Sequence, residues 1–553
     1  MVYKIADNIT SPLGETTEQN YKALLEGRSA LKSYPANYYG IPDGFVASLF
    51  SAEQQARMKA EGLTSFESLV FYCAQKALKE ADIDISSSRV VLVLSTTKGN
   101  LEKHLGDSAK QIAKTLGITT EPIVACNACI SGLSALVLAE RLLEDGVYDY
   151  AVVCGADIQN QFIISGFGSL MALSPQECKP FDIERLGLNL GEAAAVMVLS
   201  RTRCSEKDWG IKNGVIRNDA YHISTPSKSG DGAFKALEMA LQGAKKEDVA
   251  FVNAHGTATM FNDQMEAVAI QRAGLLDKPV NALKGYFGHT MGAAGILETI
   301  LSMRSLEDGN ILATKGFEEI GVSAPIKVSG EMLHSEKRSF VKMISGFGGS
   351  NAALLATRGE AESASENNRK LKTLHSVKVT PFGAWTDGVL VDENLSLTAL
   401  YKKHIGDYPK FYKMDPLSKL GFVSTELLLK AEGSMSGRFT SREDRAVIFF
   451  NRSSSIMADT SYTASISDPN NYFPSPALFV YTLPNIVTGE IALRNSYKGE
   501  TSFYILPSKD PSVMERVLKA SLRDSVTTSM MAGWIDYEND GEFIAELKLL
   551  ETV

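Results

Sequence analysis

The feature that most constrains this chain is a repeated pairing of two kinds of segment. Short, almost wholly apolar runs such as "RVVLVLS" (89–95), "YAVVCGA" (150–156), "AAVMVLS" (194–200) and "VAFVNAH" (249–255) alternate with longer stretches. In those stretches apolar residues recur at helical spacing: "SFESLVFYCAQKALKEA" (65–81), "GLSALVLAERLLEDG" (132–146), "AFKALEMALQGA" (233–244) and "AAGILETILSMRSL" (293–306). A continuous apolar run fits a strand buried on both faces, and the 3.6-residue period fits a helix packed on a sheet. The alternation predicts an α/β fold, with chemistry at strand ends that carry Gly, Cys or His.

At 553 residues the chain exceeds what one simple core holds, so two or three domains are expected. A boundary is expected at 358–371, where "RGEAESASENNRKL" is polar and lacks an apolar stripe. Beyond it the writing begins again. "SREDRAVIFFNRSSSIMADTS" (441–461) follows the pattern of "SSSRVVLVLSTTKGNLEKHLG" (86–106). "SVMERVLKASLRDSVTTSMMAGWIDYEN" (512–539) follows that of "SALVLAERLLEDGVYDYAVVCGADIQN" (134–160). Residues 372–553 therefore read as a second, partial copy of roughly the first 160.

Apolar residues make up 44% and charged residues 22%, and no apolar run reaches the roughly eighteen residues a membrane span needs. The opening "MVYKIADNITSPLG" has neither a basic start nor an apolar run, so a cytoplasmic protein is expected. A formal charge of -9 argues against a general nucleic-acid surface. The six cysteines form no disulfide framework and are expected to be reduced.

Cys126 and Cys129 stand three apart in "ACNACISG", just before a helix. A zinc site would need further ligands, and no second C-x-x-C or H-x-x-x-H occurs. A redox pair, two packed cysteines, or one nucleophile with a bystander remain. Cys129 lies at the predicted helix start, a position that favours a thiolate, while Cys126 falls in the strand. His255 in "FVNAHGTATM" and His289 in "KGYFGHTMGAAG" lie in small-residue loops between strand and helix. "GFGGSN" (346–351) must turn sharply and expose backbone N–H groups.

Five stretches together, "NACISG", "CKPFDIERLGLNLGEAAAVMVLS", "HGTATMFNDQMEA", "KGYFGHTMGAAG" and "GFGGSNAALL", resemble the β-ketoacyl synthases over residues 1–357. The resemblance implies a thiolase-like layered αβαβα fold, followed here by an additional half-thiolase-like α/β lobe. It makes Cys129 the acyl-accepting nucleophile, His255 and His289 the catalytic histidines, and Lys284 the active-site lysine. Asp263 and Glu266 would support the histidine and lysine network, and Thr257 and Thr259 would contact a phosphopantetheine arm. The backbone N–H of Phe347, a gating aromatic, would join that of Cys129 in an oxyanion hole.

The implied reaction is a decarboxylative condensation of a cysteine-bound acyl group with a malonyl thioester on an acyl carrier protein, in fatty acid, polyketide or aryl-polyene-type synthesis. No metal and no bound cofactor is implied, since the phosphopantetheine belongs to the carrier. A homodimer, or a heterodimer with a chain-length-factor-like subunit, is expected. Lys98, Lys103 and Lys110 are candidates for a basic carrier-docking patch. A histidine at 289, where priming synthases have asparagine, favours an elongating enzyme; a noncatalytic scaffold is the alternative.

This sequence departs from the family's pattern at Asn127, where T-A-C is usual, and at Ala258, where G-T-G-T is usual. In the second copy, "SPALFVYTLPNIVTGEIALRNSYKGETSFYI" resembles the family segment leading to the nucleophile. Counting along it puts the cysteine position at Pro507 or Ser508, so that lobe should be catalytically dead.

Overall fold

A computed structural model of the chain describes residues 1–359, 367–393, 396–433 and 440–553. Its frame is one five-strand pattern used three times. The first set is β1 (Val2–Thr10), β2 (Val90–Ser95), β3 (Ile123–Ala125), β4 (Tyr150–Asp157) and β5 (Ala193–Ser200). In space they run β3-β2-β4-β5-β1, with β3, β2 and β4 parallel and the last two pairings antiparallel. The second set is β6 (Trp209–Asn218), β7 (Val249–Asn253), β8 (Pro279–Asn281), β9 (Ser339–Gly346) and β10 (Ser350–Arg358). Its order, β8-β7-β9-β10-β6, is the same permutation.

The third set comprises β11 (Leu371–Thr380), β12 (Arg445–Asn451), β13 (Thr501–Ile505), β14 (Ser529–Asn539) and β15 (Glu542–Thr552). The order is again the same, β13-β12-β14-β15-β11. The copied unit is thus a whole five-strand half, matching residues 1–200 rather than the first 160; the antiparallel pair β14–β15 lacked a distinctive sequence echo. The linker expected at 358–371 lies between β10 and β11, with residues 360–366 outside the described set.

Helix α1 (Ser65–Ala81) covers the outer face of the first sheet and α2 (Leu105–Leu116) flanks it; α1 opens on a capping box formed by Thr64 and Glu67. Between the first and second sheets lie α3 (Ser131–Glu144) and, further along the chain, the helix Ala294–Glu307, each buried nearly all round. That burial explains why their sequences are apolar on every face. Gly132 and Gly295 let these two helices touch: a Cβ on Gly295 would stand 2.4 Å from the nitrogen of Leu133. Their N-terminal ends, which carry Cys129 and His289, are thereby drawn together.

The third sheet is not a separate body. Its edge strand β13 pairs antiparallel with β3, Tyr504 opposite Ala125 and Ile505 opposite Val124. Ser95 pairs with Ala125 at the end of β3, as Asn451 pairs with Ile505 at the end of β13. Ala125 and Ile505 are therefore equivalent, and each faces the other's preceding neighbour, as a local two-fold axis requires.

Buried ion pairs tie the lobes: Arg141 to Glu500 at 2.7 Å and Arg217 to Asp524 at 2.8 Å. Burial alone would raise the Asp524 carboxyl, but the Arg217 guanidinium holds it down at about 2.

Candidate active site

Cys129 sits in a tight turn, Ala128–Ile130, between β3 and α3, and is 8% exposed. Ala128 before it has φ 49, a left-handed conformation costly for a residue with a Cβ. Ser131 holds the turn by accepting from the Asn127 N–H and donating to the Ala128 carbonyl. Asn127 also accepts from the Phe503 N–H of β13, so the unusual asparagine is an anchor to the second lobe. Cys126 is fully buried, with its thiol near the Thr97 carbonyl.

His255 follows β7 and His289 lies in the loop before the helix Ala294–Glu307. Their rings cross at 80° with centroids 5.0 Å apart. One ligand-type atom from each of Cys129, His255 and His289 lies within 4.8 Å of the others. His289 Nδ1 accepts from the Met291 N–H, which leaves the ring proton on Nε2. That Nε2 is buried without a partner, as is His255 Nδ1. Unpaired buried polar atoms are expensive, and two histidines that each carry one among the described residues, beside a thiol, mark a place for a substrate.

The histidines are neutral, since burial first, and then the Lys284 ammonium, hold both well below the usual imidazole range. Burial likewise pushes the Cys129 thiol up to about 12, against the opposing pull of Lys284 and of the Cys129 and Phe347 N–H groups. Burial thus opposes the thiolate that the helix end favours.

These residues close a cavity of about 360 Å³, which opens past Thr257, Thr259 and Phe347 to a rim bearing exposed Met171, Leu186 and Phe261. A family model for the β-ketoacyl synthase N-terminal domain matches residues 5–204, and one for the C-terminal domain matches residues 210–318.

The chain belongs to the β-ketoacyl synthase family. It is 28% identical over 408 residues to the 3-oxoacyl-[acyl-carrier-protein] synthase 2 of Vibrio cholerae, covering 63% of this chain and 96% of that protein. The putative mitochondrial 3-oxoacyl-[acyl-carrier-protein] synthase of Schizosaccharomyces pombe is 26% identical, with 62% and 96% covered. Among solved structures, the ishigamide ketosynthase/chain length factor matches 65% of this chain and 98% of its own at TM-score 0.58 and 23% identity. The PfaC keto synthase-chain length factor covers all of this chain and 78% of its own at TM-score 0.75 and 14% identity, a likeness of fold that includes the second lobe. The architecture is the thiolase-like layered fold of these synthases.

Within the ketosynthase unit, Lys284 donates to the His255 carbonyl at 2.6 Å and to Glu298 at 2.7 Å. Glu298 also accepts from Lys342. Burial opposes its charge, yet the two ammonium groups hold Glu298 below the usual carboxylate range. Glu266 accepts from the N–H groups of His255 and Gly256, and so fixes the histidine loop. Asp263 does not reach the histidines or the lysine; it accepts from the Phe181 N–H and Asn262 and faces Arg185. The carboxylate that the sequence reading missed is Glu298, together with Lys342. Each is a lone charge in an apolar run, "AAGILETILS" and "FVKMISG", which is the signal that could have found them.

Thr257 and Thr259 bond to each other through their hydroxyls at the tunnel wall. Ala258 between them has φ 61, which explains the glycine usual in the family. The three lysines proposed as a docking patch are engaged elsewhere. Lys98 is buried between the lobes on Asp459, Lys103 pairs with Glu67, and Lys110 with Glu121; none lines the tunnel. The His222 imidazole of the tunnel wall is lowered by burial first, and then by the charge of Lys410 from the second lobe.

In the second lobe the position of Cys129, four residues past Ala125, is Lys509, four past Ile505. The helices Ser131–Glu144 and Pro511–Ser521 start at matching distances beyond. This corrects the Pro507 or Ser508 count: Gly533 pairs with Phe449, two residues before Asn451, whereas Gly155 pairs with Ser95 itself, so a count back from Gly533 starts two residues early. Lys509 is exposed and pairs with Glu546.

Proposed function

We propose that this protein is an elongating β-ketoacyl synthase that condenses a cysteine-bound acyl group with a malonyl thioester on an acyl carrier protein. The observation that carries this reading is the convergence of Cys129, His255 and His289 within 4.8 Å at the closed end of a tunnel, with His289 Nε2–H and His255 Nδ1 unpaired.

The phosphopantetheine arm of the carrier enters past Thr257 and Thr259 and brings the acyl thioester to Cys129. The sulfur attacks the carbonyl as its proton passes to a neutral imidazole, and the tetrahedral oxyanion takes the N–H groups of Cys129 and Phe347. The carrier thiol leaves. A malonyl thioester then binds, its carboxylate departs as carbon dioxide, and the electron pair becomes an enolate whose oxygen accepts from the two histidines. The enolate carbon attacks the acyl-cysteine, the sulfur leaves, and a β-ketoacyl thioester two carbons longer results. No resident metal or cofactor has a step in this scheme.

A cytoplasmic setting suits a carrier-dependent synthase, and no described helix is long and apolar enough to cross a membrane. The second lobe fills the place of a partner subunit, so pairing with a further chain through β3 is blocked. Incubation with a radiolabelled acyl-carrier thioester is the test. Label on wild-type Cys129, absent in Cys129→Ala, is expected, and His289→Ala should still acylate while losing decarboxylation. Equal label in Cys129→Ala, or none in wild type, would return the protein to the role of a scaffold.

A further inference from the structure

The glycine loop that carries Phe347 is gripped from both lobes. From its own side, Asn218 donates to the Gly348 carbonyl and to Thr501 Oγ1. From the other side comes the helix Ile486–Asn495, preceded by Asn485. The Asn485 side-chain N–H donates to the Phe347 carbonyl at 2.9 Å, and a Cβ on Gly348 would lie 2.7 Å from that nitrogen. One turn on, Gly489 abuts the loop so closely that a Cβ there would stand 2.6 Å from the Gly348 carbonyl oxygen.

Asn485 breaks a local rule to do this. It occupies the N-cap position of its helix, where asparagine ordinarily accepts from the helix's free N–H groups, yet it makes no such bond. Its Oδ1 is left buried and unpaired, and the residue is fully enclosed. A residue that forgoes its own cap and strands a polar atom is spending local stability on something else. The carbonyl it holds belongs to the peptide unit after Phe347, whose own N–H, that of Gly348, donates to the Ile223 carbonyl; one unit back, the N–H of Phe347 itself faces the Cys129 sulfur, and a Cβ on Gly346 would stand 3.2 Å from the Cys129 nitrogen.

We infer that Asn485 is a positioning residue supplied by the noncatalytic lobe: by holding the Phe347 carbonyl it fixes the backbone on either side of that residue, so that the Phe347 N–H points at the oxyanion formed on attack by Cys129. This rests on the condensing role given above. The lobe then acts on acyl transfer, whose oxyanion uses Phe347, and spares malonyl decarboxylation, whose enolate uses the histidines.

The experiment compares Asn485→Leu, which keeps the volume and removes the donor, with Asn485→Ala and wild type. Transfer from an acyl-carrier thioester to Cys129 is timed by intact-protein mass spectrometry, and carbon dioxide release from malonyl-carrier is timed on pre-acylated enzyme. Expected for both variants is an acylation rate down about 10- to 100-fold with KM within about twofold, and decarboxylation within about threefold. The melting midpoint of Asn485→Leu should not fall, since that variant also removes the stranded Oδ1. A parallel measurement needs no natural substrate: alkylation of Cys129 by iodoacetamide should slow in both variants. If wild type is not acylated but alkylation slows, the condensing role fails while the positioning stands. Unchanged acylation and alkylation, or loss of both half-reactions together with the melting midpoint, would overturn the assignment.

Discussion

Residues 1–200 and the second lobe share one strand order and differ in what joins the strands. Between the second and third strands the first unit needs only residues 96–104 to reach its helix, whereas the second lobe spends 452–485 before reaching the equivalent one. That added stretch contains the helices Ile456–Ile466 and Pro476–Tyr481, which pack on Gln161–Ser169 of the ketosynthase unit. After the third strand the inequality reverses: the first unit carries the nucleophile turn, and the second lobe carries Pro507, Ser508 and an exposed Lys509. Each unit retains what serves a single active site. The catalytic unit has no cap to extend over a partner, and the capping lobe has no chemistry to be covered. The two units are related by a local two-fold, and only the first carries the nucleophile.

The largest effect is expected where the two units are fastened. Asp524→Ala strands the buried Arg217 guanidinium, and removing one partner of a buried pair costs about 3–5 kcal/mol. Urea unfolding should show that loss, and a loss under about 1 kcal/mol would mean the lobes do not depend on each other. The pH dependence has a definite sign. The Arg217 guanidinium holds Asp524 at about 2, below the ordinary aspartate value of 3.8, so its contribution is present above pH 3.8 and disappears as the pH falls towards 2.

A smaller cost and a more informative result are expected at the cap. Phe479 lies over Gly166, where a Cβ would stand 2.1 Å from the ring, and packs edge-on to Phe167, which itself stacks on Phe347. Phe479→Ala should cost about 3 kcal/mol through the cavity it leaves. Because Phe167 lines the tunnel, that space becomes available to an acyl chain, and the product distribution should move to longer chains by mass spectrometry. An unchanged distribution would show that the cap covers the site without bounding its substrate.

Much of this was legible in the sequence, and the misses share a cause. The α/β alternation, the nucleophile turn, both histidine loops and the glycine loop are local patterns, each written within a dozen or so residues. The buried helices were legible as helices from their 3.6-residue apolar spacing, though not as buried all round. What stayed hidden depends on contacts between distant segments. Glu298 and Lys342 meet over 44 residues, and Asn485 reaches Phe347 over 138. The helix start at Cys129 is visible in sequence, and the depth at which the thiol is buried is not. Asp263 was placed by the resemblance; on the same helix face, Glu266 takes the His255 and Gly256 N–H groups while Asp263 takes that of Phe181 from a distant loop.

The smallest effect is expected at the position that mirrors the nucleophile. Lys509 is exposed and its partner Glu546 is itself about a third exposed, so water screens the pair and little stability depends on it. Lys509→Ala should change stability by less than about 0.5 kcal/mol and leave acylation of Cys129 at the wild-type rate. The result matters because the two-fold that relates the lobes makes Lys509 the counterpart of Cys129. A measurable loss of condensation in Lys509→Ala would mean that this end of the second lobe still takes part in the reaction, for instance by meeting an acidic carrier. The division into a catalytic unit and a chemically silent cap would then have to be redrawn.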